Sequence, residues 1–456
     1  MKLLNYFRGE AFQRGVHPPA TKDATADRQI RRLPFPARVT VPLVQHIGKP
    51  PQVLVKPGQE VVRGQPVAGT QDWLSVPHHA PVSGVVEAIK LQPTARGPWT
   101  PSIIIRAHAG ASQEDLWGRP RDLTKATPAD LLQAVWDSGM VGLGGAAFPT
   151  HAKLSVPKQA KVHTLVVNGC ECEPYLTCDH RVMVEEADDL IRGLRYAMRI
   201  TGAVRAIVGI EDNKPDAVDA VEAAIARALA PEGEIYAETV PTKYPQGSEK
   251  MLLMALFGVE IPSGSLPVSM GMVVSNVGTL AALGQLLPQG RGLTERVITV
   301  TGPGVARPGD YRVVIGTPLR HVLDYAGAPA AADLDRRQVI LGGPMMGQAI
   351  ASLDVPVTKG VSGILVFRHQ DMVAQDGRKT YPCIKCGECV ECCPMGLNPS
   401  TLGMLAAKRL YETMGENYHL ADCFECGCCT YVCPSNIPLV QQFRVAKQIL
   451  RERSAA

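Results

Sequence analysis

A repeated cysteine pattern near the C-terminal end constrains the fold more than any other feature. The segments "CIKCGECVECCP", from Cys383, and "CFECGCCTYVCP", from Cys423, both follow C-x2-C-x2-C-x3-C-P, and ten of the 13 cysteines lie between Cys383 and Cys433. This spacing is typical of thiolates that bind a pair of [4Fe–4S] clusters. Three closely spaced thiolates can hold three irons of one cubane, whereas the fourth cannot fold back and ligates the other cluster.

The pattern predicts eight iron ligands divided between two clusters. The first cluster takes Cys383, Cys386, Cys389 and Cys433, and the second takes Cys423, Cys426, Cys429 and Cys393. A zinc ribbon or a disulfide framework is the alternative, but zinc sites usually pair C-x2-C motifs across a long spacer. Cys392 and Cys428 are extra, and we interpret them as packing residues rather than ligands.

Length and charge exclude several classes of protein. The chain has 456 residues, enough for several domains, and its 47 basic and 43 acidic residues give a net charge of +4, which makes no case for nucleic-acid binding. No apolar run is long enough to span a membrane, and the N-terminal segment lacks the features of a signal peptide. We therefore expect a cytoplasmic chain with no transmembrane span of its own.

The spacing of apolar and turn residues predicts a multidomain protein of α/β and α+β class. Short β-like runs split by Gly and Pro indicate a barrel-sandwich, and alternating strands and helices indicate a parallel sheet. The predicted units are a basic N-terminal arm that is mobile or docked on a partner (1–30), a biotinyl/lipoyl-like barrel-sandwich domain without an attachment lysine (31–115), an α/β domain (116–295), a β-rich module with one helix (296–368), and an α-helical twin-cluster ferredoxin-type domain with a C-terminal helix (369–456).

The glycine-rich stretch "GLGGAAFPTHAKL" (142–154) is the candidate cofactor loop. A Rossmann fingerprint requires a strand before G-x-G-x-x-G. A predicted helix, "LLQAVWDSG", precedes the loop, so the ordinary dinucleotide interpretation does not apply.

The loop resembles a pattern of the flavin-binding subunit of respiratory complex I, "GxGGxGFPTGxKW". "VVNGCECEP", "YPQGSEKMLL" and "VVSNVGTL" follow in the order in which that family has its equivalents, and the β module resembles the family's β-grasp (SLBB) domain. With "GVHPPATKDAT", "NGCECEPYLTCDHRVM" and the cysteine motifs, the chain from about residue 16 to 445 is similar to the RnfC (also called RsxC) family, the peripheral subunits of Rnf-type ion-translocating NAD:ferredoxin oxidoreductases.

The resemblance implies an FMN site and an NADH-facing side. Gly142, Gly144 and Gly145 would leave room for the FMN phosphate and ribityl chain, Lys153 would contact the phosphate, and Phe148 would stack on a ring of the dinucleotide. Asn168 and Asn276 would contact the flavin, Glu171 and Glu173 would line the nicotinamide side, and Gly247 and Glu249 would form the second nucleotide loop. Cys170, Cys172 and Cys178 do not have a known cluster spacing, and we interpret them as pocket-lining thiols rather than metal ligands.

The resemblance also implies a function. The chain would be an NADH-oxidising oxidoreductase and translocase subunit, peripheral on the cytoplasmic side of the inner membrane, that passes electrons through FMN and two [4Fe–4S] clusters to membrane-embedded and ferredoxin-like partner subunits. FMN is needed because NADH gives up two electrons together, whereas a cubane accepts one. No protein acid–base catalyst is predicted. The alternatives are a microcompartment cobalamin (corrin) reductase of similar layout and a flavin-free iron–sulfur relay or sensor.

Overall fold

The computed structural model describes residues 12–95, 99–157, 159–228, 233–328, 337–368 and 379–455. They form four folded units in the predicted chain order, and the units pack around separate hydrophobic cores. The predicted alternation of β-rich and α/β segments is therefore present along the chain.

The first unit is a small β structure made of two antiparallel sheets. One sheet has four strands and the other has three. Its core contains Val39, Val41, Val86, Ile103 and Ile105, which are all fully or almost fully buried. The strands are β2 (Arg38–Pro42), β3 (Gln52–Val53), β4 (Glu60–Val61), β5 (Pro66–Gly69), β6 (His78–His79), β7 (Gly84–Gln92) and β8 (Thr100–Ala107).

The second unit is an α/β domain with a four-stranded parallel sheet. The strands are β9 (Thr164–Gly169), β10 (Arg205–Glu211), β11 (Glu234–Val240) and β12 (Met272–Asn276). The helices are α1 (Pro128–Asp137), α2 (Thr150–Leu154), α3 (Cys178–Glu185), α4 (Ala187–Thr201), α5 (Pro215–Arg227), α6 (Glu249–Phe257) and α7 (Val277–Leu286). All neighbouring strands are parallel, in the order β11-β10-β9-β12. This arrangement follows from the alternating strand and helix segments, because parallel neighbours need crossover connections.

The third unit is a mixed sheet packed against one helix. Strands β13 (Glu295–Thr301), β14 (Gly309–Val314), β15 (Arg337–Leu341), β16 (Gln348–Ala349) and β17 (Gly363–Arg368) accompany α8 (Leu319–Tyr325). A sixth strand, β1 (Arg31–Arg32), pairs in parallel with β14. The sequence pattern placed these two residues in the barrel, so the structure differs here: the segment before the barrel completes the later sheet.

The fourth unit is a set of short helices that carries the two cysteine motifs. Its helices are α9 (Glu388–Glu391), α10 (Pro399–Ala407), α11 (Tyr411–Glu416), α12 (Cys428–Tyr431) and α13 (Leu439–Ala455). The last helix buries Leu439, Phe443 and Ala446 in the core of its own domain. Helix α13 therefore packs on the domain that carries the cysteine motifs.

The described part of the N-terminal arm, residues 12–30, packs against other domains of the same chain. The backbone N–H of Gly15 donates to the carbonyl of Cys392 (3.0 Å). Val16 forms an antiparallel bridge with Tyr244. The arm therefore joins the cluster domain to the α/β domain, and its first eleven residues lie outside the described ranges.

Three buried histidines lie where the barrel meets the α/β domain and the mixed sheet. Burial lowers the pKa of His46 to about 4 and that of His79 to about 3, and it lowers the pKa of His78 as well. The neighbouring ammonium of Lys359, which donates to the carbonyls of Pro77 (3.0 Å) and Gly139 (2.7 Å), lowers the pKa of all three further. The junction is therefore built from neutral imidazoles.

We expect this junction to weaken in acid. An imidazole with a lowered folded-state pKa stabilises fully above its unfolded pKa of about 6.5, and that stability is lost as the pH falls through 6.5 towards the folded value. These three groups alone contribute a loss of roughly 3 kcal/mol in the free energy of unfolding between about pH 6.5 and 5.5, and buried carboxyl groups whose pKa is raised to about 7, such as Asp310, offset part of it. Trp73 and Trp136, whose ring centroids are 5.4 Å apart beside the junction, report on it by fluorescence in urea titrations.

Two single variants distinguish titration of these histidines from other causes of destabilisation in acid. His46→Gln removes one of the three titrating imidazoles, so the free energy of unfolding that is lost between pH 6.5 and 5.5 should be about 1 kcal/mol smaller than in the wild type. The exposed His17→Gln should leave the dependence unchanged. An equal pH dependence in both variants would contradict the assignment.

Candidate functional site

The candidate site lies at the point in the parallel sheet where the order of the strands reverses. Strands β10 and β11 extend the sheet on one side of β9, whereas β12 lies on the other. Ligands bind outside the carboxyl ends of strands at such a topological switch point. Asn168 at the end of β9 and Asn276 at the end of β12 are register partners there. Two predicted flavin contacts therefore lie side by side.

Asn276 connects this strand end to the glycine loop. Its side-chain oxygen accepts from the backbone N–H of Thr279 (3.1 Å) and caps helix α7, and its Nδ2 donates to Asp179 (2.6 Å). A Cβ placed on Gly144 would lie 3.3 Å from the Asn276 side chain. The loop thus approaches Asn276 more closely than a larger residue would allow without a shift.

The loop itself is held at both ends and open in the middle. Val141 and Pro149 form a bridge, and the N–H of Gly142 donates to the carbonyl of Phe148 (2.8 Å). Gly144 and Gly145 are exposed, and Gly145 has a φ of +109° with no heavy atom within 4 Å of an added Cβ. Glycine adopts this conformation at no steric cost, and it leaves backbone accessible to a ligand.

Lys153 and Glu249, both predicted nucleotide contacts, form an ion pair. Lys153 is in α2, directly after the glycine loop, and Glu249 is the first residue of α6. The adjacent Gly247 accepts a hydrogen bond at its carbonyl from Asn168 (2.7 Å), and its N–H donates to the thiol sulfur of Cys172 (3.2 Å). The structure therefore brings the glycine loop, Asn168 and the second nucleotide loop together.

Glu171 and Glu173 have partners that the sequence pattern did not indicate. The Glu171 carboxylate accepts from the N–H groups of Asp179 (2.7 Å) and His180 (3.0 Å), at the start of α3. The Glu173 carboxylate accepts from the N–H groups of Met345 (3.0 Å) and Met346 (2.7 Å). Both carboxylates therefore bind backbone N–H groups and fix the loop that carries them, and their place beside the nicotinamide stays a prediction.

Burial shifts the pKa values of the acidic groups around this loop. It raises the pKa of Glu173 to about 7, although the Met345 and Met346 N–H groups oppose the shift. Burial and the charge of Glu171 raise the pKa of Asp179 to about 7. The ligand atoms of Glu171, Cys178 and Asp179 all lie within 4.8 Å of one another. Cys178 therefore lies beside two carboxyl groups, whereas the Cys172 thiol contacts Gly247.

Sequence reasoning missed Lys22, which holds the loop from the other side. Its buried ammonium donates to the carbonyls of Glu171 (2.7 Å), Glu173 (3.1 Å) and Leu176 (2.5 Å). Burial lowers the pKa of Lys22, and the charge of Glu171 partly opposes that shift. The available signal was a lysine within the otherwise unexplained "GVHPPATKDAT", but its partners are about 150 residues away.

Replacing Lys22 with methionine should loosen the 171–176 loop. Three buried carbonyls would lose their donor, and an unsatisfied buried polar group costs about 1–3 kcal/mol. We expect a loss of about 3 kcal/mol in unfolding free energy and faster amide exchange at Asp179 and His180. The exposed Lys56→Met is the matched control. Unchanged exchange in Lys22→Met would show that the ammonium does not hold the loop.

The cysteine motifs bring thiols of different segments together. Burial raises the pKa of Cys389, and the thiols of Cys386, Cys433 and Cys383 raise it further. Burial likewise raises the pKa of Cys423 to about 11, with added contributions from Cys426 and Cys393. The fourth cysteine of each motif therefore lies beside the first three of the other motif.

The local backbone of each motif suits a cubane. Gly387 and Gly427, after the second cysteine of each motif, have φ values of +89° and +86°, and a short helix follows each. The fourth cysteines, Cys393 and Cys433, follow these short helices and do not begin helices of their own. Cys392 is buried and its thiol donates to the carbonyl of Cys389 (3.6 Å), which is a packing contact.

The second motif adjoins the loop that carries Glu173. The Tyr244 hydroxyl donates to the carbonyl of Cys426 (2.6 Å), and a Cβ on Gly427 would lie 2.8 Å from the Met345 carbonyl. Met345 in turn donates its N–H to Glu173. In contrast, Cys383 and Cys386 of the first motif are exposed. One thiol set therefore faces the α/β domain and the other lies at the surface.

These donor sets fit the predicted groups. An open glycine loop next to a lysine and two strand-end asparagines suits FMN, because its phosphate needs a cation and its chain needs close backbone approach. Eight unbridged cysteines in two sets suit two [4Fe–4S] clusters. Fold and site together define a class, the flavin-dependent iron–sulfur electron-transfer proteins.

Comparisons with known proteins identify the family. Family models match four segments: an RnfC barrel sandwich hybrid domain at residues 10–109, a Nuo51 FMN-binding domain at 135–285, an SLBB domain at 297–349 and a 4Fe-4S dicluster domain at 375–444. The chain belongs to the RnfC family of the ion-translocating oxidoreductase complexes. The predicted family, fold class and cofactors, FMN and two [4Fe–4S] clusters, are thereby confirmed.

Full-length relatives support this membership. The C subunit of the proton-translocating ferredoxin:NAD(+) oxidoreductase complex of Clostridium ljungdahlii is 40% identical, over 92% of this chain and 88% of the relative. Its counterpart in the Na(+)-translocating complex of Acetobacterium woodii is 38% identical, over 97% and 98%. The corresponding protein of the ion-translocating oxidoreductase complex of Rhodobacter capsulatus is 40% identical, over 99% and 86%.

A solved structure shares part of the fold. A chain of an NAD+-reducing [NiFe]-hydrogenase in the H2-reduced state is 22% identical, and the match covers 70% of this chain and 63% of the hydrogenase chain with a TM-score of 0.52. Among the helices in the described ranges, none is long and apolar enough to cross a bilayer.

Proposed function

We propose that this chain is the NADH-oxidising subunit of an Rnf-type ferredoxin:NAD+ oxidoreductase. One observation carries the proposal: the switch-point site, with Asn168 and Asn276 in register, lies on the same chain as two cysteine sets, one of which touches the site's acidic loop. Bound FMN supplies the chemistry that turns a hydride's electron pair into single electrons. The glycine loop, Lys153 and the two asparagines would hold FMN.

The placement of the cysteines favours one order of electron transfer. Cys423, Cys426, Cys429 and Cys393 lie next to Tyr244 and Met345, at the α/β domain. The set that includes Cys383 and Cys386 lies at the surface. Electrons would therefore leave the flavin domain through the inner set and reach the partner from the outer set.

The partners are the other members of the complex, membrane-embedded and ferredoxin-like, and the chain would be peripheral on the cytoplasmic side of the inner membrane. Membership of the RnfC family favours this function over a cobalamin reductase. The names of the relatives include both proton- and sodium-translocating complexes, and coupling to ion movement would belong to the assembled complex.

Purification of the tagged chain from solubilised membranes, without oxygen, tests the proposal. We expect membrane subunits to copurify and the preparation to oxidise NADH with a ferredoxin as acceptor. A chain recovered entirely without membrane partners, or one that oxidises no NADH in their presence, would refute it.

A further inference from the structure

A second cleft lies beside the glycine loop, where three domains meet, and Leu143 of that loop lines it. It encloses about 320 Å³, and its walls come from the barrel, from helices α3 and α7, and from strands β13 and β14. None of the residues predicted to bind FMN or NADH lines it. Its volume is in the range of small-molecule sites, about 300–1,000 Å³.

Arginines line the cleft, and they outnumber the carboxylates that they contact. Three of them share the single carboxylate of Glu295: Arg32 at 2.7 Å, Arg63 at 2.5 Å and Arg312 at 3.8 Å. Arg312 has one further partner, Glu186. Three guanidinium groups therefore share two carboxylates, which leaves a surplus of positive charge.

Two further arginines have no carboxylate partner within the described chain. The Arg296 guanidinium donates to the carbonyls of Lys359 (2.5 Å), Leu143 (3.0 Å) and Val297 (3.2 Å). The Arg291 side chain has no hydrogen bond or ion pair with any residue that the structure describes. Both line the cleft, so its charge is not neutralised internally.

The remaining carboxyl groups of the cleft compensate only weakly. Desolvation raises the pKa of Asp115, although Arg63 and Arg291 oppose the shift, and the pKa of Asp179 is raised to about 7. Within the described chain, Asp115 Oδ1 and Arg63 Nε are buried without a hydrogen-bond partner. An unsatisfied buried polar atom costs about 1–3 kcal/mol. The Arg63 donor therefore calls for an acceptor such as a phosphate oxygen, whereas the Asp115 oxygen calls for a donor such as a bound water.

We propose that this cleft is a binding site for a small soluble anion that carries a phosphate group. Guanidinium groups bind phosphate oxygens through charge-assisted hydrogen bonds, and the surplus positive charge of the cleft favours an anion. Arg291 supplies an uncommitted donor at the site. Arg296 connects the site to the glycine loop, because it already donates to the Leu143 carbonyl.

Calorimetric titration of the holoprotein, saturated with FMN and intact in both clusters, tests this proposal with inorganic phosphate as the probe. We expect one saturable site, weakened at least tenfold in Arg291→Gln. This variant should fold normally because Arg291 has no bonded partner in the described structure. Arg451→Gln, an exposed arginine on α13, should bind as the wild type does.

A second variant and a competing ligand show whether phosphate binds in this cleft. Ala282→Leu, on the α7 wall, fills the cleft without a change in charge and should also abolish binding. Absence of a saturable site, equal binding by Arg291→Gln, or displacement of phosphate by NADH would overturn the proposal. The last result would place the anion at the dinucleotide site. None of these readouts depends on NADH oxidation.

Discussion

Replacing Cys433 with alanine is expected to remove the cluster that the first motif holds, although Cys433 belongs to the second. Its thiol lies with those of Cys383, Cys386 and Cys389, and its loss leaves that set with three ligands. The iron content should fall from about eight to about four atoms per chain. Cys393→Ala should remove the other cluster instead, because Cys393 lies beside Cys423 and Cys426.

Iron and sulfide analysis together with EPR of the dithionite-reduced protein measures this result. Cys392→Ala is the matched control, since Cys392 is a buried neighbour that donates to the Cys389 carbonyl and is not a predicted ligand. It should retain both clusters. Loss of the same EPR signal in Cys433→Ala and Cys393→Ala would contradict the crossed assignment.

The second large effect concerns Asn276. Alanine at this position removes the side chain that caps α7 and donates to Asp179, next to the end of β9, and we expect FMN affinity to fall at least tenfold. Loss of the cap alone costs about 1 kcal/mol of stability. Bound flavin is measured by absorbance and by the fluorescence of FMN released on denaturation.

Asn398 provides a control for the capping contribution. Its side chain caps α10 by accepting from Thr401 N–H (3.0 Å), just as Asn276 caps α7 through Thr279. Asn398→Ala should therefore lose similar stability and retain FMN. If both variants keep the wild-type flavin content, Asn276 does not contact the cofactor.

Local patterns were sufficient to predict much of the fold. Alternating strands and helices predicted the parallel sheet, and short β-like runs split by Gly and Pro predicted the barrel-sandwich. These predictions succeed because the periodicity of apolar residues is fixed by the side that each element buries.

Contacts between distant segments could not be predicted in this way. Lys22 reaches Glu171 and Glu173 across about 150 residues, and Arg31–Arg32 joins a sheet whose other strands begin at Glu295. No periodic pattern marks such partners. The backbone donors to the Glu171 and Glu173 carboxylates, at α3 and at Met345–Met346, likewise become visible only in three dimensions.

The most direct test is a titration of the oxygen-free holoprotein with NADH, followed by flavin absorbance and EPR. We expect the flavin to bleach and signals of reduced clusters to appear afterwards, because a single chain receives the electron pair and distributes single electrons to its iron. Intact clusters beside a site that contains no FMN, or a bound flavin that NADH leaves oxidised, would contradict this expectation.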